Sequence, residues 1–82
     1  MKHTFREWRR LREMSQQELA DRVGVHVNTI INWEEHPENM SIKRAFEVID
    51  ALGVTIDDVI FYASNQQNVE LKEAFESLRA VV

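Results

Sequence analysis

The sequence predicts an all-α protein: five short helices, an additional helix toward the C-terminal end, and no strand. Three observations carry that expectation. Apolar residues recur at three- and four-residue steps, the spacing of one helix face, instead of alternating as they would on a strand. Serines and threonines stand just ahead of several of these stripes, where a side-chain oxygen satisfies the free amides of a helix start. Two glycines and one proline are the only strong breakers in 82 residues.

Phe5, Trp8, Leu11 and Met14 mark a first helix over about residues 3–13. Ser15, with Glu18 three residues on, has the capping-box arrangement in which each side chain serves the other's backbone amide. It starts a second helix that buries Leu19, Ala20 and Val23, and Gly24 ends that helix where the backbone needs a positive φ. A third helix over about 26–35 turns Ile30 and Trp33 inward and leaves Asn28, Ile31, Asn32 and Glu35 on other faces. Pro37 and Asn39 break the chain. Ser41 caps a fourth helix with Ile42, Ala45, Phe46, Ile49 and Leu52 on its stripe, and Gly53 closes it. Thr55 caps a short fifth helix, with Asp57 and Asp58 in the first turn, where carboxylates complement the helix dipole. A last helix over about 66–80 aligns Leu71, Phe75 and Leu78 with Val82. No internal repeat is present.

Composition narrows the class. A chain of 82 residues supports one domain, and a domain of that size buries about 60% of its unfolded surface, so its stability is modest. A hydrophobic fraction of 44% is globular. No apolar run approaches the roughly 18 residues of a membrane span. The N-terminus leads into an amphipathic segment, so no signal peptide is expected and a cytoplasmic location is. With no cysteine there is no disulfide framework and no thiolate zinc site. His3, His26 and His36 lack ligand spacing, so no metal or other cofactor is expected. Asp57 and Asp58 are adjacent, hence on different faces, and no nucleophile–base set appears, which argues against an enzyme. The net charge of −4 is unevenly spread: residues 1–33 hold six basic and four acidic groups, residues 34–82 four basic and ten acidic. A locally basic face is what a phosphate backbone meets, so overall acidity does not exclude DNA.

The segment from Ser15 to Glu34 has the logic of two short helices crossing closely. A small residue sits at the crossing (Ala20), a glycine in the turn (Gly24), and apolar anchors come from both sides (Leu19, Val25, Ile30, Trp33). Such a pair holds its second helix proud of the body, with the first turn free to enter a major groove. Ser-Gln-Gln-Glu-Leu-Ala at 15–20, Val-Gly-Val at 23–25, Thr-Ile and Trp-Glu within 29–34, and Ala-Leu-Gly-Val-Thr-Ile-Asp-Asp-Val at 51–59 stand in order. In these the sequence resembles the phage repressor and Cro-type helix-turn-helix family, also called the xenobiotic-response-element family, over about residues 5–61. The resemblance implies a lambda-repressor-like five-helix DNA-binding domain. It further implies that Gln16 holds a phosphate, and that Val27, Asn28 and Asn32 face base edges with His26 and Ile31 beside them. Asn28 is the candidate for reading adenine, while Ile31 or Val27 suits a thymine methyl. The resemblance also implies that Arg9 and Glu34 tie the first helix to the third, with Arg9 a further phosphate candidate alongside Lys43 and Arg44 at the fourth helix.

Three positions depart from the family pattern. Glu13 stands where glycine is usual, which predicts a more helical first turn. The loop Glu35-His36-Pro37-Glu38-Asn39-Met40 is acidic where the family's is basic, which predicts repulsion from phosphate. His26 replaces the small hydroxyl residue that usually caps the recognition helix.

Each of these residues also has an ordinary role: exposed asparagines and a basic cluster can be a solvated helix face, and Trp8 and Trp33 are core residues. Residues 1–62 are read as the DNA-binding domain and 63–82 as a helical extension. The extension either completes the core or forms a dimer contact, and dimerisation through Ile60, Leu71, Phe75 and Leu78 is preferred because an apolar stripe on so small a domain seeks a partner. The expectation is a sequence-specific regulator, a repressor in preference to an activator, phage-related or bacterial, binding double-stranded DNA as a homodimer. A protein-interaction module, such as an antitoxin or anti-repressor with its own protein partner, is the alternative.

Overall fold

Thr4 starts the first helix. Its hydroxyl accepts from the Glu7 amide, and the Glu7 carboxylate accepts from the Thr4 amide, so the full capping box lies here. The computed structural model describes residues 2–60 and 65–80, with the side chains of 66–77 in the last helix. Five α-helices follow in order: α1 (Phe5–Leu11), α2 (Gln16–Val23), α3 (Val27–Glu35), α4 (Ile42–Leu52) and α5 (Asn65–Ala80). Single 3-10 turns occupy Pro37–Asn39 and Ile56–Asp58. The protein is all-α in class, but the expectation of no strand needs correction. His3–Thr4 (β1) pairs in parallel with Val59–Ile60 (β2), with His3 opposite Val59. Phe5 and Val59, both buried, anchor the pair from below, and the Trp8 indole donates to the Asp58 carbonyl at 2.7 Å.

Two further expectations change. The segment after Thr55 is one 3-10 turn that runs into β2, with the Thr55 hydroxyl donating to the Asp58 carboxylate at 2.8 Å. The first helix stops at Leu11, which is 59% exposed and lies off the stripe. Glu13 then takes a left-handed φ of 54°, so the turn is not more helical. This reversal lets the Met14 amide reach back to the Arg9 carbonyl at 3.0 Å and brings Met14 into the core.

The crossing of α2 and α3 follows the sequence pattern. Ser15 caps α2 by accepting from the Glu18 amide at 3.0 Å. Gly24 adopts φ 82°, and its amide and that of Val25 both donate to the Ala20 carbonyl, at 2.8 and 3.0 Å. Ala20, Leu19, Ile30 and Trp33 are buried where the two helices meet, while Val23 is half-buried. Helix α4 contributes Ala45, Val48, Ile49 and Leu52 to the same core.

Helix α5 closes that core through Leu71, which is 1% exposed. Leu71 is therefore removed from the expected dimer contacts: its surface is already spent inside its own protomer. Phe75 is half-buried and meets Phe46 edge-on, with ring centroids 5.3 Å apart. The Leu78 side chain and Val82 lie outside what is described. Lys72 reaches Asp57 at 3.0 Å across to the second 3-10 turn, and this contact raises the lysine's pKa.

Candidate nucleic-acid interface

The interface is built on a buried carboxylate. Glu34, in the last turn of α3, has a side chain only 1% exposed. It accepts from Arg9 Nε at 2.6 Å and Arg9 Nη2 at 3.2 Å, from Arg6 Nε at 3.2 Å, and from Gln16 Nε2 at 3.1 Å. A carboxylate taken out of water needs that many charged and polar donors. The result welds α1 and the start of α2 to α3. Arg9 gives its remaining nitrogen, Nη1, to the Met14 carbonyl at 2.9 Å and is 9% exposed. Its role as a phosphate candidate is thereby corrected: all three guanidinium nitrogens turn inward. The pairing of Arg9 with Glu34 is in place, whereas Arg6 and Gln16 join it unforeseen. The signal for Arg6 was its spacing, one helical turn before Arg9 on the same face.

His26 caps α3, the task of the small hydroxyl residue it replaces. Its Nδ1 accepts from the Asn28 amide at 3.0 Å, which requires that nitrogen to carry no proton. Val27 and Asn28 open the helix, Val27 half-buried against the core and Asn28 exposed. Asn32, four residues on and on the same face as Asn28, is also exposed, with half-buried Ile31 beside it. The structure brings these four residues together on one side of a helix whose other side, Ile30 and Trp33, is buried.

Around this face the charges are sparse. Asn39, at the end of the first 3-10 turn, donates from Nδ2 to Asn32 Oδ1 at 3.2 Å. Glu35, the last residue of α3, and Glu38, within that 3-10 turn, are both exposed, and Glu38 lies 3.4 Å from His36. At the start of α4, Lys43 is exposed, while Arg44 pairs with Glu47 on its own helix at 2.7 Å. Arg12 is committed to the carbonyls of Leu52 and Gly53. Arg10, Arg22 and Lys43 are exposed and form no ion pair among the described residues. Among those residues no three His, Asp or Glu side chains converge as metal ligands, and no helix is long and apolar enough to cross a membrane.

A family model described as helix-turn-helix matches residues 5–59, two thirds of the chain. The chain belongs to the Cro/C1-type helix-turn-helix family. In this Cro/C1-type domain α2 and α3 are the helix-turn-helix pair, and the protein is a DNA-binding regulator. The match begins at Phe5 and ends at Val59, so it spans α1 to α4 and leaves β1 and α5 outside. No curated protein and no solved structure matches the chain.

Proposed function

We propose that this Cro/C1-type domain is a sequence-specific transcriptional repressor that acts in the cytoplasm, binding a pseudo-palindromic operator as a homodimer. One observation carries the reading. Asn28 and Asn32 are exposed on one face of α3 while Ile30 and Trp33 on the opposite face are buried, so the helix can dock without unpacking. In this reading α3 enters the major groove by its first turn. Asn28 accepts from adenine N6 and donates to N7, and Val27 and Ile31 supply apolar contact to a thymine methyl. Gln16, held by Glu34, keeps its second Nε2 hydrogen for a phosphate. Lys43 and the amides at the start of α4 meet the backbone, and Arg44 joins them when it leaves Glu47. Repression follows from occupancy, since a filled operator excludes polymerase. Residues 1–62 form the DNA-binding unit in this reading, and 63–82 its helical extension.

In this reading the dimer contact draws on Ile60 of β2, which is 39% exposed, together with the Phe75 and Leu78 positions of the α5 sequence stripe. Two copies then present their α3 helices to half-sites about 34 Å apart. The second reading, a protein-binding antitoxin or anti-repressor, is favoured by Glu35 and Glu38, both exposed, at the last residue of α3 and just after it.

Selection from a random duplex pool at moderate salt tests the repressor reading. A defined sequence should be enriched, and Asn28→Ala should lose about 1–3 kcal/mol of discrimination at one base pair. If nothing is enriched, the DNA reading fails and the protein-binding one replaces it. Light scattering at micromolar concentration tests the dimer: the wild type should run as two copies and Ile60→Glu as one, and a monomeric wild type would end that part of the proposal.

A further inference from the structure

We infer that Asn39 is a specificity-determining residue: it orients the Asn32 amide so that position 32 reads hydrogen-bond acceptors, guanine above all. The inference rests on the operator-binding reading and adds to it which base α3 takes at its second asparagine.

An asparagine amide has one end that accepts and one that donates, and a free rotor can present either. Asn28 is such a rotor, since its side chain is exposed and bonds to no other described residue. Asn32 is not. Asn39 Nδ2 donates to its Oδ1 at 3.2 Å, which turns the oxygen toward the loop and leaves the NH2 group facing outward. Asn39 is itself fixed by short-range structure. Its amide donates to the His36 carbonyl at 3.0 Å, and the next amide, of Met40, donates to the Pro37 carbonyl at 3.0 Å. Met40 is 3% exposed and pins the turn to the core, while Pro37 holds φ at the turn's first residue. The turn therefore acts on the recognition helix through the Asn39 side chain.

The consequence follows from the edges of the bases. Guanine presents two adjacent acceptors, O6 and N7, to the two N–H groups of an outward-facing NH2. Adenine presents N7 but sets its own N6 amine against the second N–H, donor against donor. Thymine offers O4 alone, and cytosine only a donor. Reading adenine through both atoms, as Asn28 is placed to do, requires the oxygen that Asn39 has turned away. The two asparagines of α3 thus differ in preference although they are chemically identical.

The test is random-pool selection with the wild type, Asn32→Ala, Asn39→Ala and Asn39→Asp, followed by binding to the selected duplex and its single-base variants. Asn32→Ala identifies the base pair that residue 32 reads. The wild type should prefer guanine over adenine there. Asn39→Ala should shrink that preference about 3- to 10-fold, the worth of one hydrogen bond, and leave the pair read by Asn28 unchanged. Asn39→Asp removes the donor and supplies an acceptor, so the Asn32 NH2 should turn inward and the preference should move to bases that present a donor. Both substitutions lie in an exposed loop, and a melting curve verifies each fold. The readout is a ratio between duplexes, which a general loss of stability or an added negative charge does not move. Wild-type selection of adenine at that pair overturns the inference, as does a base profile that neither Asn39 variant alters. If the wild type enriches no sequence, both this inference and the operator reading fall. Enrichment with an unmoved position 32 removes this inference alone.

Discussion

Glu13 holds the one left-handed backbone among the described non-glycine residues, φ 54°, and it does so because the chain must reverse between α1 and α2 for Met14 to enter the core. An L-residue in that conformation costs roughly 1–2 kcal/mol, which glycine avoids while adding unfolded-state entropy. Glu13→Gly should therefore raise stability by about 1 kcal/mol, read as a higher urea midpoint at constant slope. A lower midpoint would show that the glutamate side chain contributes more than its backbone costs. At Glu34 the balance is reversed. Removing it by Glu34→Ala leaves Arg9 buried with no anion, and should cost on the order of 3 kcal/mol of a total of roughly 4–12 for a domain this size. Thermal melting of that variant decides the point, and an unchanged midpoint would mean the cluster adds no stability. The sequence permitted the Arg9–Glu34 pair to be expected through the family resemblance. It did not permit Arg6 or Gln16 to be placed there, because spacing assigns a residue to a face and not to a distance from a buried acceptor on another helix.

Among the elements, α2, α3 and α4 were legible because each carries its own punctuation: Ser15 and Gly24, His26, Ser41 and Gly53. The β1–β2 pair was not, since its two residues per strand come from opposite ends of the domain, His3 lying opposite Val59. No local period encodes such a pairing. Capping also yields predictions. His26→Ala should cost about 1 kcal/mol by leaving the Asn28 amide without an acceptor, and His26→Ser should restore most of it in chemical denaturation. At α1 the Glu7 carboxylate is held below its ordinary value, first by the Thr4 amide and then by the Thr4 hydroxyl. A lowered folded-state value means a contribution present above the ordinary value of 4.5 and lost as the pH falls below it through the lowered folded-state value. Glu7→Gln should therefore lose less stability than the wild type on acidification below about pH 4.5. For α5, the sequence left core completion and dimer contact open, and Leu71 belongs to the former. Its truncation, Leu71→Ala, should cost about 3 kcal/mol, within the range for buried leucines, and a near-neutral result would show that α5 undocks at little cost.

For the molecule as a whole, the uneven charge sets how the domain holds DNA. Residues 1–33 carry the positive excess, but Arg6 and Arg9 are bound to Glu34 and Arg12 caps α4, which leaves few cations for phosphate. Each phosphate neutralised contributes about −0.9 to the slope of log K against log salt. With Lys2, Arg10, Arg22 and Lys43 the exposed cations that form no ion pair among the described residues, a shallow slope is expected, with affinity resting on contacts from α3. The exposed carboxylates of Glu35 and Glu38 work in the same direction, since they stand at the last residue of α3 and in the 3-10 turn that follows it. Reversing both with Glu35→Lys and Glu38→Lys should tighten binding to the selected operator and steepen the slope by up to about 2. Affinity for random duplex should rise by a larger factor than affinity for the operator, because the added attraction does not depend on sequence. Anisotropy titrations between about 50 and 200 mM salt measure both quantities. An unchanged slope in the double variant would place this loop clear of the phosphates, and the low positive charge of the domain would then have to be explained by its other faces.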